Sequence, residues 1–162
     1  MTRLSMVVVS LAAALGGACD TAEVGGAARP ETARFTGRWS VVSGVQRVTC
    51  AALGVSASAA AADDVTWSLG EEADLEQTLP RSPCLLAADI RGNAAVGRPS
   101  ECSFPAEDGG TWAWIVRSYT FALSADGALA EEHFVGSHAF AVDGHQESCA
   151  VERTATYRQR GR

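Results

Sequence analysis

The stretch 35–50 (FTGRWSVVSGVQRVTC) limits what this chain can fold into more than any other. Phe35, Gly37, Trp39 and Val41 recur with period two while Thr36, Arg38 and Ser40 take the opposite face, the pattern of a half-buried strand. Around Val42, Ser43 and Gly44 the parity slips. Val48 and Cys50 then continue on the other register, as expected where a glycine-containing bulge bends a strand. A strand bent in this way curls round a core.

Short alternating segments fill the rest of the chain. Val65, Trp67 and Leu69 share a face, as do Leu75, Gln77 and Leu79, then Cys84, Leu86, Ala88 and Ile90. A tight turn at Arg91, Gly92 and Asn93 returns the chain through Ala94 to Val96. Trp112, Trp114 and Val116 alternate and are followed by Tyr119, Phe121 and Leu123. Asp126-Gly127 and Asp143-Gly144 are hairpin turn signals, and Cys149, Val151, Ala155 and Tyr157 line one face of a last strand. Helix-period segments with caps are lacking, so the prediction is all-β: a single antiparallel meander of about eight strands in one domain, residues 34–162. Two stretches stay outside this pattern. Residues 51–64 (AALGVSASAAAADD) read as a loop or a short Ala-rich helix, and residues 103–110 as a loop rich in Pro, Gly and acid.

Gly37-Arg38-Trp39 resembles the Gly-x-Trp motif that opens the first strand of lipocalins and related calycin barrels, although the family's Thr-Asp-Tyr motif is absent. The resemblance implies a lipocalin-like β-barrel with Trp39 as the plug of its closed end. It implies an Arg of the last strand, Arg158 or Arg160, packed on that Trp, and a long first loop, here 51–64, beside the mouth. In such a barrel inward-facing Trp67, Trp112 and Trp114 are the candidates to line a cup for a small apolar ligand, with plain core packing as the alternative.

The N-terminus carries an address. Arg3 precedes an uninterrupted apolar run, residues 4–15, which is too short to span a bilayer comfortably and reads as an export signal, residues 1–18. Gly16-Gly17-Ala18-Cys19 resembles a bacterial lipobox, with Leu15 one place further from the cysteine than that pattern has it. The resemblance implies diacylglycerol on Cys19, with ordinary signal cleavage at the same small residues as the alternative. Residues 19–33 are then lipid anchor and flexible tether, rich in Gly, Pro and charge. All the basic residues are Arg, a composition that suggests a GC-rich bacterial genome.

With Cys19 consumed by lipid, Cys50, Cys84, Cys102 and Cys149 remain, an even set suited to two disulfides in an oxidising compartment. If the first and last strands of the meander close on each other antiparallel, the end of the first meets the start of the last, which pairs Cys50 with Cys149. Cys84 and Cys102 then flank the hairpin at Gly92-Asn93 and form the second bridge.

Composition excludes some function classes. A net charge of −6, one unit more negative without Arg3, argues against nucleic acid or anionic lipid as a partner. No nucleophile elbow, phosphate-binding Gly loop, His-Glu-x-x-His or Cys-x-x-Cys occurs, so no enzyme and no cofactor are expected. His133, His138 and His145 read as exposed polar residues instead of metal ligands, and Glu71, Glu72, Asp74 and Glu76 as a solvated strand face. The expectation is a lipid-anchored protein of the bacterial cell envelope, on the periplasmic face or outer membrane, or secreted. Its expected task is to bind a small apolar ligand. An envelope inhibitor of proteases or lysozymes, or a structural lipoprotein, is the alternative.

Overall fold

Among the described residues the chain forms ten strands and one short 3-10 turn, most of the strands with period-two alternation. A computed structural model describes residues 30–61, 63–106, 109–142 and 145–161. The expected export signal, Cys19, most of the expected tether and the expected turn at Asp143-Gly144 lie outside these residues. In chain order the strands are β1 (Gly37–Cys50), β2 (Val55–Ala60), β3 (Val65–Leu69), β4 (Leu75–Thr78), β5 (Leu85–Arg91), β6 (Ala94–Gly97), β7 (Ser100–Pro105), β8 (Thr111–Leu123), β9 (Leu129–Val142) and β10 (His145–Gln159).

All pairings are antiparallel, and β10 returns to β1, so that β1, β3, β4, β5, β6, β8, β9 and β10 form a closed ring of eight strands. The seam runs the full length of β1, from Trp39 opposite Gln159 to Cys50 opposite Cys149. Its one irregularity lies between Val41 and Ser43, where the alternation slips in the sequence. Gly44 sits just past this bulge because β10 crosses closely there: a β-carbon on Gly44 would fall 2.6 Å from that of Ala155.

The ring is taller on one side than on the other. β1 is shared by two short strands, β3 against residues 37–39 and β2 against 45–50. β8 is shared likewise, by β6 against residues 120–122 and β7 against 111–116. The β4–β5 hairpin reaches only β3 and β6 and turns back through Pro80 and Pro83, residues without an N–H to extend a ladder. The lower half is therefore a complete ring. The upper half is a curved sheet, β2-β1-β10-β9-β8-β7, with a gap between β2 and β7.

Residues 51–64 are thus neither helix nor plain loop. Their middle is β2, because the upper half of β1 offers an unpaired edge that Ala and Ser residues can join. Similarly, Ser103 to Pro105, expected in a loop, complete β7 along β8. Where β2 gives way to β3, the Asp64 carboxylate accepts the Val41 N–H at 3.2 Å and holds Arg38 at 3.0 Å, satisfying the bulge.

Aromatic side chains fill the lower ring. Trp39, wholly buried, donates its indole N–H to the Phe35 carbonyl at 2.7 Å and meets Phe121 edge-on at 5.2 Å. Phe35 arrives there on a short 3-10 turn, Thr32–Arg34, whose Thr32 is buried. The folded part begins inside the expected tether. Apolar periodicity could not flag this, because the turn is held by the Thr32 carbonyl, which accepts from the Phe35 and Thr36 amides.

Arg158 does not pack on Trp39. It pairs with Ser40 and is exposed, whereas Gln159 lies opposite Trp39, so strand parity sends Arg158 to the outer face. Arg160 stays outside as well, against Ser40 and Asp64.

Candidate functional site

The gap in the upper wall exposes inward side chains that a complete ring would cover. Odd-numbered residues of β10 and even-numbered residues of the facing part of β9 point inward, so one cross-strand row on this wall reads Cys50, Cys149, His138, Trp114, Cys102. Both ends of that row are disulfides. Cys50 is bonded to Cys149 and fastens the closing seam, while Cys84 bonds to Cys102 and ties the start of β5 to β7 at the corner where the walls separate.

A cavity of about 1000 Å³ opens in front of this row, above the turn of residues 80–83. Its wall is aromatic: Trp112, Trp114 and Phe104 all face it and are half-buried. His138 stands between the two tryptophans, edge-on to Trp112 at 6.0 Å and to Trp114 at 5.7 Å. Burial pushes the His138 imidazole below its ordinary pKa, favouring the neutral form. His138, Cys50 and Cys149 have their potential ligand atoms within 4.8 Å of one another. The two sulfurs are spent on each other, however, and offer no thiolate to a metal.

The floor is polar. Two inward rows below His138, Arg153 is only 6% exposed and donates from Nη2 to Glu132 Oε1 at 2.7 Å. Tyr157 donates to the other Glu132 oxygen at 3.0 Å, and the Arg153 guanidinium lies over the Phe134 ring at 5.6 Å. Burial works against the Arg153 charge, but the Glu132 carboxylate outweighs it and holds the guanidinium protonated. Burial, reinforced by the same carboxylate, pushes the Tyr157 and Tyr119 phenols up. At the rim, Asp63 and Arg81 bring one charge of each sign.

Of the three expected ligand-lining tryptophans, the structure brings Trp112 and Trp114 to the cavity and leaves Trp67 out of it. Trp67 is 1% exposed in the lower ring, edge-on to Tyr119 at 5.7 Å and Phe121 at 5.9 Å. At its height β3 to β6 complete the ring and the interior is packed solid. His133 is exposed, as expected, but His138 is not. Glu132 and Arg153 were missed as interior residues. The signal for Arg153 was present, since it shares strand parity with Cys149, Val151, Ala155 and Tyr157.

No family model, no curated protein and no solved structure matches this chain.

Proposed function

We propose that this protein is a binding module of the bacterial cell envelope, anchored by lipid on Cys19, that holds a small apolar molecule within a lipocalin-like barrel. One observation carries the reading. Trp112 and Trp114, successive inward residues of β8, face a cavity instead of an opposing wall, joined by Phe104 and by a few polar groups at its floor. A concave lining in which aromatic rings meet placed polar groups, here Gln46, Asp63, Arg81, His138 and Arg153, is a common make-up of a small-molecule site. Two disulfides stand at the ends of the cross-strand row that carries His138 and Trp114.

Extraction of the purified mature protein into organic solvent, followed by mass spectrometry, tests the reading. A stoichiometric apolar compound is expected, and its loss from the Trp112→Ala, Trp114→Ala double variant. An empty protein that also leaves the apolar dye N-phenyl-1-naphthylamine dark in solution would sink the proposal.

A second reading, an inhibitor-like module that binds an envelope protein, draws support from β2. That strand is exposed along its whole length, carries only Val, Ser and Ala, and has no neighbour on its outer edge among the described residues. Such an edge can accept a strand from a partner.

A further inference from the structure

The short wall below the gap ends in two charges. Along β3 and β4, Val65, Trp67, Leu75 and Gln77 are buried inward residues, and Leu79 continues their face. Ser68 pairs with Glu76 and Leu69 with Leu75. Counted upward in that register, Val65 falls across from Leu79 and Asp63 from Arg81, so parity turns both charged residues inward at the sill of the cavity, which both line. Arg81 is the one non-glycine residue with a left-handed backbone, φ 57°, among the described residues. An L side chain rarely adopts that conformation, which persists only where its surroundings hold it. Here Pro80 stiffens the turn, and the Ser82 amide and hydroxyl both donate to the Leu79 carbonyl. Cys84, at the end of the same turn, is tied to Cys102, the cross-strand neighbour of Trp114.

The two charges are not spent on each other. Neither Asp63 nor Arg81 makes an ion pair or a side-chain hydrogen bond among the described residues, and both reach solvent. Adjacent strands stand about 5 Å apart, so opposed side chains that do not pair leave room for a head group carrying both signs on neighbouring atoms. The cavity's other permanent charge, Arg153, is already matched by Glu132. A ligand of one charge gains at one of the two side chains and is repelled by the other, whereas a zwitterion gains at both. Trp112, Trp114 and Phe104 supply the apolar wall of the same cavity.

Resting on the reading of the cavity as a ligand site, we propose that it selects a small aromatic zwitterion of the α-amino-acid type. The ring lies against Trp112 and Trp114, the carboxylate on the Arg81 guanidinium and the ammonium on Asp63.

Four probes that share one naphthyl group separate the possibilities by calorimetric titration of the mature protein at pH 7. Both charges are present in 3-(2-naphthyl)alanine, one in each of 3-(2-naphthyl)propanoate and 2-(2-naphthyl)ethylamine, and none in 2-(2-naphthyl)ethanol. The zwitterion is expected to bind about tenfold more tightly than the alcohol, the size of two partly exposed charge contacts, and more tightly than either singly charged probe. Equal affinity for zwitterion and alcohol overturns the head-group contacts. Binding of the propanoate or the ethylamine as tight as that of the zwitterion, or tighter, overturns the two-charge argument. In these cases the cavity still takes rings. If none of the four binds, the inference falls together with the ligand-site reading. Asp63→Asn should bring the zwitterion down to the affinity of the propanoate, and Arg81→Gln to that of the ethylamine. Both side chains reach solvent, so the variants are expected to fold, which circular dichroism checks. A zwitterion preference that survives both substitutions overturns the proposal. Should either variant not fold, the four-probe series on the wild type decides.

Discussion

Trp67 and Trp114 both point inward from strands of the same ring, yet one is core and the other lines a cavity. Around Trp67 the wall is complete, and the indole packs edge-on against Tyr119 and Phe121 with 1% of its surface exposed. Around Trp114 the facing wall stops at the turn of residues 80–83, and the indole shares its surroundings with His138, Phe134 and open space. The side chains are chemically the same. Height along the ring decides which lines the cavity, because an inward residue is core only if something lies across from it.

The contrast breaks most severely at the seam. Replacing both Cys50 and Cys149 by Ala frees a closure spanning 99 residues, for which chain-entropy arguments give a loss of about 4 to 5 kcal/mol. That is a large share of a small domain's stability, and urea denaturation should show most of the population unfolded at 37 °C. A loss below about 1 kcal/mol would mean that backbone pairing of β1 with β10 closes the ring unaided.

The tryptophans give the next effect and the most direct comparison. Trp67→Ala should cost about 3 to 5 kcal/mol, the usual cost of emptying a packed aromatic site. Trp114→Ala should cost no more than about 1 to 2 kcal/mol, because part of its surface faces open space and no comparable void is created. Equal losses in denaturant titrations would show that the two halves are packed alike and that the cavity is not a cavity in solution.

His138 supplies the smallest effect. Its folded-state pKa lies below the ordinary value of 6.5, so the unfolded chain binds the proton more readily. Stability owed to the neutral imidazole is present above about pH 6.5 and is lost as the pH falls through 6.5 toward the lowered value. His138→Gln should flatten that part of the stability profile, and an unchanged slope between pH 7 and pH 5 would show that the ring is wetter than its position implies.

Local chemistry alone was enough for a good deal of this. Alternation in residues 35–50, with its slip at Val42 to Gly44, marked β1 and its bulge. Glycine at position 92, with φ 62°, marked the β5–β6 hairpin, since a left-handed position there favours a residue without a β-carbon. Strand order, once taken as a closed meander, paired Cys50 with Cys149 and Cys84 with Cys102. These features depend on neighbours in sequence or on parity, which one strand carries by itself. Parity put Trp67 and Trp114 inward; carried along β9 and β10 it also puts His138 and Arg153 inward and Arg158 outward, three placements the sequence reading did not draw. It does not say what stands opposite. That depends on where the β4–β5 hairpin stops relative to β2 and β7, and on β2 finding the free upper edge of β1, pairings between segments far apart in the chain. Only the assembled ring, by ending one wall early, turned two tryptophans into a lining and set a paired arginine beneath them.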